Sequence, residues 1–99
     1  MTLSARQLRF LRGLGHNLHP VVTIADRGLT PNVINELDAA LRKHELIKVR
    51  IRADRTTRTN WLNEIETRCA AQRVHVIGQV ACLFRRNTRK PVITLPASV

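Results

Sequence analysis

The first helix and strand are predicted by a change in the spacing of apolar residues near the start of the chain. Leucines recur every three residues from position 8 to position 14, which predicts a helix from Ala5 to Leu14. Ser4 stands where an N-cap belongs. The β-branched run Val21–Ile24, which Pro20 introduces, predicts a strand.

The middle of the chain repeats this change from helical to alternating spacing. Thr30 as N-cap and Pro31 at the first helical position predict a second helix, which ends near Lys43. Residues 47–52 then alternate strictly between apolar and basic. The apolar positions are Ile47, Val49 and Ile51, and the basic ones are Lys48, Arg50 and Arg52. This strand predicts a sheet with one apolar face and one strongly basic face.

The last third of the chain predicts a helix followed by a hairpin. Helical spacing of apolar residues returns within "RTTRTNWLNEIETRCAAQ", where Trp61 is interpreted as a packing residue at the edge of the stripe. The segment "RVHVIGQVACLFRR" predicts strands Arg73–Ile77 and Val80–Arg85 around a tight turn at Gly78. The closing "PVITLP" predicts a short terminal strand.

Together these elements predict an α/β fold in the order α-β-α-β-α-β-β. Helices that alternate with strands and then give way to a hairpin indicate a mixed sheet. We expect three helices packed on one face, the apolar face, of a four-stranded sheet. A length of 99 residues suits one domain, so we expect a single domain over residues 1–99 with an ordered core at about 3–95.

The charge balance points to an acidic partner. Seventeen Lys and Arg against seven Asp and Glu give a net charge of +10, which favours nucleic acid or an anionic membrane. Fourteen of these cations are Arg, whose planar fork of donors fits phosphate and favours RNA. Aromatic residues make up only 3%, which argues against binding that depends on stacking bases on aromatic rings.

Membrane, metal and catalytic functions find little support in the sequence. No apolar run approaches the ~20 residues of a membrane span, and the start of the chain lacks a signal-peptide layout, so we expect a cytoplasmic protein. Cys69 and Cys82 are then reduced core residues without metal-site spacing. The pair His44-Glu45 is half of a zinc-protease motif, but Lys48 stands where the second His belongs. We expect no enzyme, metal or cofactor.

The loop between the first strand and the second helix is the first candidate site. A helix that begins at Thr30 presents unbonded amides and a partial positive charge. Gly28 permits a close backbone approach or a positive φ, and Arg27 can add a charge-assisted fork. Asp26 either positions Arg27 or caps nearby amides. The alternative is a plain turn that needs Gly28 only for its geometry.

Three further basic surfaces are candidates for RNA contact. Lys48, Arg50 and Arg52 form a basic strand face, although charges on an edge strand also discourage aggregation. Cations on the first helix could extend this surface or simply face solvent. Cations of the last loop could add non-specific affinity. The helix cations are Arg6, Arg9 and Arg12, and the loop cations are Arg85, Arg86, Arg89 and Lys90.

The chain resembles the YhbY family, the stand-alone bacterial form of the CRM domain. The resemblance is carried by "LSARQLRFLRGLGHNLHPVVTIADRGLTPNVINEL", "ALRKHELIKVRI", "VHVIGQVACLFRR" and "ITLP". It implies three helices on a four-stranded sheet, RNA binding, and association with the large-subunit (pre-50S) precursor. It also implies a KH-like GxxG loop, which falls on residues 25–28. Here Ala25 replaces the first glycine of that loop.

The charge pattern predicts an RNA-binding protein with a basic loop and a basic sheet face, and the resemblance implies that its RNA is rRNA and its role ribosome biogenesis. We expect a monomer without a small-molecule substrate. Two alternatives stay open, namely a general DNA-binding or nucleoid module and a protein-interaction subunit of a ribonucleoprotein.

Overall fold

Three helices and four strands follow one another in the predicted order. A computed structural model of the protein describes residues 2–98, and the two ends of the predicted domain, Met1 and Val99, lie outside the described residues. The elements are α1 (Ala5–Gly15), β1 (Pro20–Ile24), α2 (Pro31–His44), β2 (Leu46–Ile51), α3 (Arg55–Arg68), β3 (Gln72–Ile77) and β4 (Val80–Phe84).

The helix starts follow from local capping chemistry. Ser4 and Gln7 form a reciprocal capping box at α1, in which each side chain accepts a hydrogen bond from the backbone N–H of the other residue. The Thr30 hydroxyl accepts the Val33 N–H at α2. Asp54 caps α3 in the same way, as its carboxylate accepts the Thr57 N–H at 2.8 Å.

The four strands form one mixed sheet in the order β1-β2-β4-β3. The β1 and β2 strands are parallel, whereas β4 runs antiparallel to both β2 and β3. The basic strand β2 therefore lies inside the sheet and not at its edge. The explanation that the charges of β2 protect an edge strand from aggregation is therefore wrong, because β2 is not an edge strand.

Helices cover both faces of the sheet, which corrects the expectation that all three pack on one face. The α2 and α3 helices pack over one face, where their apolar residues join Val49 and Leu83 in the larger core cluster. On the opposite face, Leu11 of α1 packs with Leu46 and Phe84. The cause is β4, a continuous apolar run whose alternate side chains point to both faces, so that both need a cover.

The inner side of α1 differs from the leucine stripe that was predicted. Its buried residues are Gln7, Leu11 and Gly15, whereas Leu14 is 41% exposed. A Cβ on Gly15 would lie 2.7 Å from the Cys82 Sγ atom. Glycine at this position therefore allows the end of the helix to approach the sheet closely.

The closing segment, residues 91–96, packs against the α1 side of the sheet but forms no strand, so the predicted terminal strand is wrong. Its backbone N–H groups at Val92 and Ile93 both donate to the buried Glu45 carboxylate at 2.7 Å. The Gln7 side chain donates to the Pro96 carbonyl at 3.1 Å. Side chains thus satisfy backbone N–H and C=O groups of this segment that would otherwise need a neighbouring strand as partner.

Candidate nucleic-acid interface

A groove runs between α1 and the part of the sheet that α1 leaves open. It has a volume of about 720 Å³, within the roughly 300–1,000 Å³ typical of ligand sites. Arg9 and Arg12 line it from α1, Lys48 from β2 and His75 from β3. None of its lining residues is acidic. Two surfaces that the sequence treated separately, the helix arginines and the basic strand, therefore meet in one concave site.

The part of the groove floor that lies on the β3–β4 hairpin is largely apolar. Ile77 and Val80 face each other across the β3–β4 hairpin, and Lys48 faces Cys82 across β2 and β4. Ile77 is 66% exposed, the largest exposed fraction among the exposed large apolar residues of the described chain. The groove therefore combines a cationic rim with a solvent-exposed aliphatic base.

The basic face continues from the groove toward the β1–α2 loop. Arg50 follows Lys48 on the same side of β2, about 7 Å further along the strand, and pairs with Thr23 of β1. Thr23 in turn lines a second concavity of about 660 Å³, which includes Arg27. The exposed cations from α1 to the loop thus lie along one continuous face of the molecule.

The loop itself is a tight turn over residues 25–28. The Gly28 N–H donates to the Ala25 carbonyl at 2.8 Å, and the Gly28 φ angle is +68°. A Cβ on Gly28 would lie 3.0 Å from the Trp61 ring. A plain turn is therefore sufficient to explain Gly28, since both the backbone angle and the packing at this position require a glycine.

The helix start next to the loop offers fewer amides than the sequence suggested. The Thr30 N–H donates to the Gly28 carbonyl, and the Val33 N–H is taken by the Thr30 hydroxyl. In the described part of the chain, the backbone N–H of the exposed residue Asn32 is left without a hydrogen-bond partner. Thr30 thus caps its own helix, and the predicted cluster of unbonded N–H groups is reduced to that of Asn32.

Arg27 and Asp26 stand side by side without forming an ion pair. Both residues are exposed, and no ion pair within 4.0 Å joins either of them to another part of residues 2–98. The Arg27 guanidinium is therefore available to an external anion, and Asp26 does not hold it in place. Arg52 lies close by, because its backbone N–H donates to the Ile24 carbonyl just before the loop.

Two of the three arginines predicted at the last loop, Arg85 and Arg86, are engaged inside the protein. Arg85 donates to the Asp38 carboxylate at 2.6 Å, to the Asp38 carbonyl at 3.0 Å and to the Cys69 carbonyl at 3.0 Å. Arg86 donates to the Ile93 carbonyl and lies 3.5 Å from the Glu45 carboxylate. Their donors hold the fold together, which leaves them poorly placed to bind phosphate.

The remaining predicted cations occupy separate positions. Arg6 is exposed on α1, and Arg89 and Lys90 are exposed beyond β4. These last two residues border a third concavity with Lys43 at the end of α2. That concavity lies at the end of β2 opposite the loop, because α2 leads directly into Leu46.

Sequence reasoning missed the role of Glu45. This residue ends α2 with a φ of +63° and is fully buried. Burial raises the pKa of its carboxyl, but hydrogen bonds from the Asn87, Ile93 and Val92 N–H groups and the charge of Arg86 outweigh burial and leave the pKa below its usual value. The sequence did contain a signal for this role, because a charged residue between a helix and a buried strand must be paired if it is buried.

The cysteines and histidines form no cluster with one another or with acids among the described residues that could hold a metal ion. Among residues 2–98 no group of three or more His, Cys, Asp or Glu side chains could hold a metal ion. Burial raises the pKa of the Cys82 thiol to about 11, and burial likewise raises the pKa of Cys69. Both are free thiols in the core, as predicted. Over the same residues, no helix has both the length and the apolar character that crossing a bilayer requires.

Comparison with known protein families shows which family the chain belongs to. The profile of the CRS1/YhbY (CRM) domain matches residues 3–85. The chain belongs to the CRS1/YhbY (CRM) domain family. The family resemblance seen in the sequence is thereby confirmed.

Relatives from several bacteria carry the same domain. A Haemophilus influenzae protein named as RNA-binding is 45% identical over 85 residues, which cover 85% of this chain and 86% of that protein. A Pseudomonas aeruginosa protein named as a probable RNA-binding protein is 38% identical over 90% of this chain and 86% of its own length. The solution structure of a Staphylococcus aureus protein, proposed to bind RNA, superimposes with a TM-score of 0.81 at 29% identity, over 96% of this chain and 100% of that one.

Proposed function

We propose that this CRM protein binds ribosomal RNA and takes part in assembly of the large ribosomal subunit in the cytoplasm. RNA is the partner named for its relatives, and the surplus of cations suits a polyanion. The protein acts as a monomer that contacts the RNA backbone, and the proposal includes no catalytic step and no cofactor.

The observation that carries this proposal is the gathering of available cations on one face. Arg9, Arg12, Lys48 and Arg50 lie on the α1 side of the sheet, and none forms an ion pair within the described chain. Five arginines elsewhere are paired with acids, namely Arg42, Arg68, Arg73, Arg85 and Arg86. Unpaired cations that share a face repel one another until an anion neutralises them. A ribose-phosphate backbone laid across β2 would supply that charge.

The loop extends the proposed contact at one end of the face. Arg27 supplies an exposed fork of donors, and the backbone N–H of Asn32 supplies one more donor at the positive end of α2. Gly28 is assigned to turn geometry and Thr30 to helix capping, so the loop binds through Arg27 rather than through a glycine-lined backbone cradle. The proposed RNA-contacting set therefore omits Arg85 and Arg86, whose donors are used internally.

A salt titration of RNA binding tests the proposal. Wild-type protein and the double variant Lys48→Ala/Arg50→Ala are compared on a fragment of large-subunit rRNA, with Arg68→Ala as control because it removes a cation that is paired with Glu64. The double variant should lower the slope of log affinity against log salt by about 1.4–1.8, since each phosphate contact contributes ~0.7–0.9. The control slope should stay within the error of the wild-type value.

Two outcomes would reject the proposal. Equal affinity for duplex DNA and for rRNA at fixed salt would favour a general nucleic-acid module. Retention of the protein on large-subunit precursors after nuclease digestion of the exposed RNA would favour a protein partner. Loss of the protein from those particles, together with preference for rRNA, is the expected result.

A further inference from the structure

The groove beside α1 has a composition that backbone contact alone does not explain. A phosphate backbone needs donors and charge, which the rim provides through Arg9, Arg12 and Lys48. The part of the floor formed by Ile77 and Val80, however, is aliphatic, and Ile77 is 66% exposed. Exposed apolar surface in a concave, cation-rimmed site points to a ligand that is both anionic and partly apolar.

We propose that this groove holds the base of one unpaired ribonucleotide, with the adjacent phosphates on Arg12 and Lys48. This inference rests on the proposed RNA-binding function and specifies the RNA that is preferred. The base would lie over Ile77 and Val80, and the flat guanidinium of an α1 arginine can stack on its other face. Single-stranded loops and bulges expose bases in this way, whereas paired helices do not.

The low aromatic content agrees with one inserted base and not with an extended stacking platform. Trp61 packs against Gly28 within the α2–α3 side of the molecule, and Phe84 is buried beneath α1. Neither of these rings lines the groove, nor does the exposed Phe10 of α1. The lining residues are basic, aliphatic, histidine, glycine or cysteine. A cationic rim without any carboxylate also disfavours a basic peptide as the occupant.

Gly13 gives direct experimental access to the groove. It lines the groove from α1, and a Cβ built on it meets no atom within 4 Å. Replacing Gly13 with leucine therefore fills space from a helical position, where leucine is also the better helix former. Ile77→Ser removes apolar surface from the floor at an exposed site, where the change should leave folding intact.

The test compares three hairpin RNAs that differ at one position. One carries a bulged adenosine, one carries an abasic nucleotide at the bulge, and one has no bulge. Wild-type protein should bind the bulged adenosine about tenfold more tightly than the abasic RNA, a difference at the lower end of what one stacked base contributes. Gly13→Leu and Ile77→Ser should abolish this difference while affinity for the unbulged hairpin stays within twofold.

Matched controls place comparable changes outside the groove. Ala39→Leu places the same leucine side chain on the exposed side of α2, and Val92→Ser removes apolar surface at a residue that is 58% exposed. Both controls should keep the tenfold preference. If wild-type protein binds all three hairpins equally, or if both groove variants keep the preference, the inference is overturned while RNA binding stands. If no hairpin is bound, the proposed function fails as well.

Discussion

The backbone of Gly28 lies against the indole ring of Trp61. A Cβ at position 28 would be 3.0 Å from Cζ2 and 3.3 Å from Cε2 of that ring, and the φ angle of Gly28 is +68°. Two independent constraints thus select glycine at this turn, one from the backbone and one from packing. Its presence next to a helix start is a property of the fold, and the proposed RNA contact of the loop depends on Arg27 instead.

Substitution of Gly28 should therefore destabilise the protein strongly for so small a change. We expect Gly28→Ala to lower the free energy of unfolding by about 2 kcal/mol, because strain at positive φ adds to crowding against the ring. Urea unfolding followed by tryptophan fluorescence measures this loss directly, since Trp61 is the single tryptophan of the chain.

Gly78 provides a matched control for the backbone contribution. Its φ angle is +54°, but a Cβ there would meet no atom within 4 Å. Gly78→Ala should cost only about 1 kcal/mol, the contribution of positive φ alone. Equal losses at the two glycines would show that the contact with Trp61 adds nothing.

Arg27 and Asp26 should affect RNA affinity in opposite directions. Arg27→Ala should weaken binding about uniformly over RNA sequences and lower the salt slope by roughly one contact. Asp26→Asn should strengthen binding by about two- to fivefold, because it removes a repulsive charge that no neighbouring cation neutralises. Fluorescence anisotropy at several salt concentrations measures both effects.

The double variant Asp26→Asn/Arg27→Ala distinguishes this account from one in which the two residues act as a pair. Independent residues should give additive changes in binding free energy. A strongly non-additive result would mean that Asp26 positions Arg27 in solution. That result would contradict the geometry, in which the two form no ion pair.

Replacing an arginine that has internal partners should lower stability, whereas replacing an arginine on the basic face should lower the salt slope of RNA binding. Arg85→Ala removes three hydrogen bonds that join α2, the end of α3 and β4, and should cost about 1–2 kcal/mol because Asp38 remains partly solvated. Arg50→Ala should leave stability within about 0.5 kcal/mol, since it is exposed, but should lower the salt slope for RNA.

Thermal or urea unfolding and RNA titration on the same two proteins give the comparison. The expected result is a crossed pattern, in which Arg85→Ala is destabilised with a wild-type salt slope under conditions where it is folded. If Arg85→Ala lowers the slope as much as Arg50→Ala, its guanidinium leaves Asp38 to bind RNA, and the assignment to the scaffold is wrong.

The order of elements was predictable because its signals are local. Alternation along β2, the cap at Thr30 and the spacing of α2 each depend on residues within a few positions of one another. The distribution of the helices over the sheet was not predictable in this way. It depends on β4, whose continuous apolar run is compatible with burial on both faces but does not say which helix covers which face.

The candidate site shows the same division between local and distant information. The basic side of β2 was read from alternation, and the structure places it as predicted. That Arg9 and Arg12 converge on Lys48 depends on where α1 crosses the sheet, which follows from the close approach of Gly15 to Cys82. Composition could not separate the scaffold arginines from the exposed ones either, because Arg85 and Asp38 are 47 residues apart in sequence.

The buried carboxylate of Glu45 should make stability depend on pH in a defined direction. Burial raises its pKa, but the N–H donors of Asn87, Ile93 and Val92 outweigh burial, so the pKa in the folded protein lies below its ordinary value of 4.5. A group with a depressed pKa stabilises the fold fully above its unfolded pKa, and this stabilisation is lost as the pH falls through the folded pKa. The loss should therefore begin below about pH 5.

Glu45→Gln should separate this contribution from that of the other acids. The amide keeps one acceptor oxygen and puts a donor group where the Asn87 N–H now donates to Oε2 at 2.6 Å, which should cost about 2 kcal/mol at pH 7. Urea unfolding from pH 7 to pH 3 should show the gap between wild type and Glu45→Gln closing as the pH falls, because the wild-type carboxylate is then protonated and loses its own advantage. The exposed Glu36→Gln should stay close to wild type throughout. A gap that remains constant down to pH 3 would mean that Glu45 stabilises the closing segment by its shape alone and not by its charge.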